Sequence, residues 1–204
     1  MRVLIGCECS GIVRDAFRAQ GHDAWSCDLK PCEGDGEYHI QGDIMSVIGD
    51  YTFRTWDLIG LHPDCTKMAV SGNRWYGHGT DGYEDRIDAI VWTLSLWRAA
   101  KGWSPRVYLE NPVSVVFPEL RRHGATVQYI QPWQYGHGET KRTGIALHGL
   151  PPLEPTDIVD GREQRVWKMP PSETRKADRS RTYLGIAAAM AAQWGISNVE
   201  VTGR

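Results

Sequence analysis

A thiol and a carboxyl carry the most readable chemistry in this chain, and each follows a short apolar run. Asp57-Leu58-Ile59-Gly60-Leu61 stops at His62-Pro63-Asp64-Cys65-Thr66, and Val107-Tyr108-Leu109 stops at Glu110-Asn111-Pro112. A lone cysteine is more often buried and inert than reactive, but Cys65 precedes polar, glycine-bearing sequence that gives a core residue little to pack against. Pro112 restricts the backbone of Asn111 and stiffens the turn that carries Glu110. A thiol nucleophile beside a carboxylic acid suits conjugate addition to an electron-poor ring. Sulfur attacks one ring carbon while a ring nitrogen is protonated.

That chemistry needs both groups at one edge of a sheet, and the surrounding elements supply such an edge. Arg2 to Gly6 reads as a strand, the turn Glu8-Cys9-Ser10-Gly11 follows, and Ile12, Val13, Ala16, Phe17 and Ala19 recur with helical spacing up to Gly21. Asp23 to Asp28 reads as a second strand, and Tyr38 to Ile40 leads into Gly42-Asp43-Ile44. After the Asp57–Leu61 strand come a glycine-rich segment, Gly72 to Gly82, and a helix from about Tyr83 to Ala100. Beyond Val107–Leu109 the pattern predicts a helix over Val113 to Arg122, a strand over Ala125 to Gln131, a loop over Pro132 to Thr143, a strand over Gly144 to His148, and a last helix over Tyr183 to Trp194. The alternation predicts an α/β fold, a doubly wound, mostly parallel sheet of Rossmann-like type, with ligands bound beyond the carboxyl ends of the strands.

At 204 residues the chain fits one domain, 1–204, with a real core. Its 41% hydrophobic and 24% charged content and net charge of −2 are ordinary for a globular protein, so overall charge does not select a partner. No apolar run approaches a membrane span and the first residues enter a strand directly, without a signal-peptide pattern. The expectation is a cytoplasmic protein with no membrane partner. Five cysteines in this context do not suggest a disulfide framework. Cys7-x-Cys9 is tighter than the usual zinc spacer, so Cys7, Cys9, Cys27 and Cys32 read as small buried residues and no metal is expected. Nothing in the sequence speaks to oligomeric state.

Charge is unevenly distributed. Between Gly149 and Thr182 prolines break any element, and Arg162 to Arg181 holds seven basic residues, Arg162, Arg165, Lys168, Arg175, Lys176, Arg179 and Arg181, against Glu163, Glu173 and Asp178. Such a patch either meets phosphates or is a solvated loop. The turn after the first strand is where a doubly wound fold seats a cofactor, although it lacks the three-glycine dinucleotide pattern. Asp28 is placed for ribose hydroxyls and Asp43 for an exocyclic amine; either could instead be a helix cap or a solvated loop acid.

These segments, in this order, resemble the DNA cytosine-5 methyltransferases, in particular their small phage and prophage forms. Cys9-Ser10-Gly11-Ile12 is similar to the first cofactor motif, Asp28 to the ribose-binding acid, and Gly42-Asp43-Ile44 to the segment whose acid contacts adenine. Pro63-Asp64-Cys65 is similar to the proline-cysteine loop, Glu110-Asn111-Pro112 to the Glu-Asn-Val motif, Glu139-Thr140-Lys141-Arg142-Thr143 to the basic motif, and Gly185-Ile186-Ala187 to the closing cofactor motif. The resemblance implies a methyltransferase fold using S-adenosylmethionine, with a cofactor site of Cys9, Ser10, Gly11, Ile12, Asp28, Asp43, Ile44 and Pro63. It implies a cytosine flipped from duplex DNA, attacked at carbon 6 by Cys65, held at ring nitrogen 3 by protonated Glu110, and steadied by Arg142 or, less surely, Lys141.

Two departures qualify what the resemblance implies. Asp64 stands where the family usually has proline, and a carboxylate beside a thiol raises its pKa, by up to ~1–2 units if poorly screened. Only 149–182 is available for target recognition, which predicts short or relaxed specificity with Arg162, Arg165, Arg175, Arg179 and Arg181 on phosphates. Two alternatives remain: a catalytically impaired nucleic-acid-binding relative, and an enzyme acting on free cytidine nucleotides or RNA.

Overall fold

In the computed structural model, residues 1–50, 52, 55–172 and 175–196 are described; Glu173, one of the acids counted above, lies outside them. Seven strands form one sheet in the order β3-β2-β1-β4-β5-β7-β6. They are β1 (Arg2–Gly6), β2 (Asp23–Asp28), β3 (His39–Gln41), β4 (Leu58–Leu61), β5 (Val107–Pro112), β6 (Thr126–Ile130) and β7 (Thr143–His148). The pairs from β3 to β5 are parallel, while β7 runs antiparallel to both β5 and β6.

The runs Val3-Leu4-Ile5 and Leu58-Ile59-Gly60-Leu61 are buried on both faces, which is why they read as continuous apolar sequence without alternation. Side chains still take turns between faces. Leu4, Ile59, Leu61, Val107 and Leu109 pack on one side under α2 (Ile44–Ile48), α4 (Tyr83–Trp103) and α5 (Val116–Arg122). Val3, Ile5, Leu58, Tyr108 and Ile145 pack on the other against α1 (Ile12–Ala19) and α8 (Leu184–Trp194), through Phe17, Met190 and Trp194.

Several boundaries differ from those the sequence predicts. The strand expected to stop at Leu109 continues through Glu110, Asn111 and Pro112, because β7 pairs with all six residues while β4 pairs only up to Leu109. The expected helix at Val113 starts at Val116, since Ser114 forms a bridge with Ala69. The glycine-rich segment holds α3 (Asn73–Tyr76), and the proline-broken excursion holds α6 (Arg165–Lys168) and α7 (Arg175–Ser180). The excursion is tied down by bridges from Tyr135 to Asp157 and from Glu139 to Glu163, and by buried Leu153. No helix among the described residues is long and apolar enough to cross a membrane.

Candidate active site

The site grows from the register of two parallel strands. Gly60 of β4 lies opposite Tyr108 of β5, and a Cβ at Gly60 would sit 2.4 Å from the Tyr108 ring. Glycine is what lets the tyrosine lie across its neighbour. Two residues on, period-two alternation puts His62 and Glu110 on the same face. The Tyr108 hydroxyl lies 2.9 Å from His62 Nε2, and His62 Nδ1 lies 3.4 Å from Glu110 Oε2. His62 is 9% exposed and Glu110 14%, so the chain of contacts is almost wholly withdrawn from water.

Cys65 sits on the loop after β4, and that loop is pinned at several points. Asn111 Nδ2 donates to the Pro63 carbonyl at 3.0 Å, and the Cys65 carbonyl accepts from Met68 and Ala69 amides. Buried Arg86 of α4 reaches three acceptors, Lys67 O at 2.7 Å, Asn73 Oδ1 at 2.8 Å and Ala69 O at 3.3 Å. A guanidinium desolvated this far is stabilised by such a full set of acceptors. Asp64 is exposed and accepts from the Thr66 amide and hydroxyl. It therefore closes a local turn, as its side chain can do where proline would otherwise fix the backbone.

The charges of the site act on one another. Burial pushes the Cys65 thiol up, Glu110 and Asp64 push it further, and Lys141 opposes them. Burial would raise the Glu110 carboxyl, but the His62 hydrogen bond and charge, with Lys141, outweigh it and hold that carboxyl low. Lys141 itself is lowered, by burial first and by Arg179 and Arg165, against the pull of Glu110 and Cys65. Arg142, expected at the substrate, is exposed and stacks on Tyr129 at 4.4 Å, a ring that packs on the α4 and α5 side of the sheet. Consecutive residues entering β7 point to opposite faces: Lys141 Nζ donates to the Arg181 carbonyl at 3.3 Å and its charge acts on Cys65 and Glu110, while Arg142 faces the other side.

At the end of β1, Gly11 takes φ +71°, a left-handed turn that brings the chain into α1. Ser10 Oγ donates to Glu8 Oε1 at 3.2 Å, and buried Glu8 accepts from the Val13 and Arg14 amides at 2.8 and 3.3 Å. A carboxylate thus occupies the amides that a dinucleotide-binding turn would offer to pyrophosphate, which disfavours an anionic group and suits a cationic one. Ile12 lines a cavity of about 340 Å³ with His137, Arg165, Arg181, Tyr183 and Leu184. Asp28 ends β2 and accepts from the Lys30 amide, while Asp43 accepts from Met45 and caps α2. Ile44, expected at the cofactor, is instead 4% exposed core beneath Gly6. Cys9 lies 3.8 Å from Glu33 and Pro63 is buried. Among the described residues no group of three or more His, Cys, Asp or Glu is placed to hold a metal ion.

The basic excursion is largely spoken for by the protein itself. Arg165 pairs with Glu139 at 2.8 Å, Arg181 pairs with both Glu33 and Asp178, and Arg162 stacks on Trp133 at 4.0 Å. Arg175 is half-buried, and Arg179 is near enough to Lys141 to lower it. Four residues that the sequence reading passed over are central here: His62, Tyr108, Arg86 and Glu8. The i, i+2 spacing of Tyr108 and Glu110 was a usable signal for Tyr108.

No protein-family model and no curated protein matches this chain. Its fold is the Rossmann-like fold of S-adenosylmethionine-dependent methyltransferases. It is similar to a solved structure described as a DNA modification methyltransferase encoded within an E. coli prophage, at 12% identity and TM-score 0.52 over 78% of this chain and 52% of the other. It is also similar to the S. pombe Dnmt2 methyltransferase, at 15% identity and TM-score 0.50 over 82% and 53%, and to Entamoeba histolytica EhMeth, at 12% and 0.50 over 78% and 57%. The chain therefore spans about half the length of these structures.

Proposed function

We propose that this chain is a methyltransferase that transfers a methyl group from S-adenosylmethionine to carbon 5 of cytosine in DNA, through a covalent adduct on Cys65. The register of β4 and β5, which sets the Cys65 loop and Glu110 at one edge of the sheet with the charge of Lys141 acting on both, carries this reading. Ser10, Gly11, Ile12 and Asp28 would hold the cofactor, with Glu8 behind the turn favouring a cation and disfavouring a phosphate. When bound, S-adenosylmethionine would supply the methyl group; loss of the carbon 5 proton to water and expulsion of the Cys65 thiolate from carbon 6 complete the turnover.

The residues divide the remaining work. Cys65 attacks carbon 6 of the flipped base as thiolate, and Glu110 as acid stabilises the addition at nitrogen 3. After burial, Glu110 is the chief cause of the raised thiol, so neutralising Glu110 eases ionisation of Cys65. One proton moved from sulfur to carboxyl produces both reactive forms with no change in net charge. Lys141 adds a positive charge that favours the thiolate. The excursion 149–182, within a single domain, contacts phosphates through Arg179 and its neighbours and gives short or relaxed specificity.

The test is trapping on duplex DNA that carries 5-fluorocytosine, with S-adenosylmethionine present. A denaturation-resistant adduct is expected, and Cys65→Ser should abolish it. Failure of wild-type protein to form any adduct sinks the covalent mechanism and leaves a binding relative.

A further inference from the structure

We infer that His62 is a positioning residue for Glu110, oriented by the Tyr108 hydroxyl, and that it sets both the direction in which the carboxyl faces and the pH range over which it acts. This rests on the reading of Glu110 as the acid of a cytosine methyltransferase. The argument is geometric. Glu110 Oε2 faces His62 Nδ1 at 3.4 Å, and no hydrogen bond from the protein engages Oε1 among the described residues. One oxygen is held and the other is left to face a ligand.

The far side of the imidazole explains why this arrangement is stable. Nε2 meets the Tyr108 hydroxyl at 2.9 Å, and that hydroxyl can donate to a bare nitrogen or accept from a protonated one. With His62 neutral, the hydroxyl donates to bare Nε2 and the Nδ1–H edge is left facing Glu110, so both ends of the imidazole have a partner. Tyr108 is fully buried, and burial first, then the charges of Glu8 and Glu110, hold its hydroxyl protonated. It orients His62 and supplies no proton. The other charged groups that bear on the pair are Lys141, entering β7, and Cys65 and Asp64, after β4. Lys141 holds Glu110 low in the same direction as His62, so removing His62 shifts the carboxyl upward without freeing it fully.

Consequences for pH follow from the sign. A carboxyl held low is ionised over more of the pH range, and the reaction needs the acid form. Loss of His62 raises that pKa. Because acid Glu110 and thiolate Cys65 are needed together and the thiol titrates above the carboxyl, the limb on which adduct formation rises out of acid tracks Glu110, and that limb moves to higher pH. Loss of positioning lowers the maximum rate at the same time. A residue that merely filled space would lower the rate without moving the limb.

The experiment compares wild type with Tyr108→Phe, His62→Phe and His62→Asn. Glu110 is followed by carboxyl carbon NMR titration without DNA, and adduct formation on 5-fluorocytosine DNA is followed across pH. In His62→Phe we expect the Glu110 titration and the limb to rise together by about 1–3 pH units, the range for loss of a close charged partner. We expect the maximum rate to fall on the order of 10²-fold. Tyr108→Phe, which keeps the ring and its packing, should show the same changes to a smaller extent. His62→Asn, which can still donate near the Nδ1 position, should recover part of the maximum rate. An unmoved titration in both His62→Phe and Tyr108→Phe overturns the inference, as does a uniform rate loss with a fixed limb. If wild type forms no adduct, the methyltransferase reading falls, and the NMR titration alone decides whether His62 governs Glu110.

Discussion

The strand-end network and the basic excursion both engage carboxylates and use them in opposite ways. At the strand ends, Tyr108, His62 and Glu110 are nearly dry and joined at 2.9 to 3.4 Å, Asn111 beside them holds the Pro63 carbonyl, and one carboxyl oxygen is kept out of the network. In the excursion the arginines look plentiful, yet Arg165 and Arg181 are already on carboxylates and Arg162 is on a ring. Burial makes the first region exacting, because an unpaired polar group there costs about 1–3 kcal/mol; among the described residues Asn111 Oδ1 is buried without a partner. The second pays no such penalty, and exposed pairs of its kind contribute about 0–1 kcal/mol each. Charge counted along a sequence therefore overstates what is available to a ligand.

The comparison can be broken at its tightest point first. Gly60→Ala forces a Cβ to within 2.4 Å of the Tyr108 ring, and overpacking of this kind costs about 1–3 kcal/mol. Thermal unfolding should show a Tm lower by several degrees, and an unchanged Tm would mean that the network tolerates displacement of Tyr108. Next, Glu110→Gln removes the charge that, after burial, most raises Cys65. Alkylation of Cys65 by iodoacetamide near neutral pH should become several-fold faster while trapping on DNA is lost; slower alkylation would contradict the coupling of the two groups.

The excursion sharpens the contrast from the other side. If Arg179 meets a phosphate, Arg179→Ala should reduce the slope of log binding constant against log salt by about 1. Arg181→Ala should change that slope by less, since its guanidinium is engaged by Glu33 and Asp178. Equal effects would show that these ion pairs open on DNA. The smallest change is expected from Asp64→Asn. Asp64 is exposed and ranks behind burial and Glu110 in raising the thiol, so Cys65 should alkylate only slightly faster.

Much of this was legible beforehand, for identifiable reasons. Strands buried on both faces announce themselves as apolar runs, and the carboxyl edge of a parallel sheet brings Cys65 and Glu110 together without further information. Short helices such as α2, α3, α6 and α7 have too few turns to show a periodicity. The extension of β5 through Pro112 depends on β7, some thirty residues away, and so leaves no local trace. Pairing of Arg165 with Glu139 and of Arg181 with Glu33 joins distant segments, and composition cannot reveal which basic groups are already matched.

The antiparallel β7 has a bearing on how this chain can vary. Lys141 and Arg142 face opposite sides because of parity on entering one strand, so the residue count leading into Thr143–His148 matters as much as the residue types. One residue inserted just after Arg142 would put Arg142 in the place of Lys141, with the inserted residue in the place beside Tyr129. The excursion beyond Gly149 obeys no such parity. Its hold on the site is by contact instead: Arg181 accepts from Lys141 through its carbonyl, and Arg165 pairs with Glu139, so a change in its length acts through those two points.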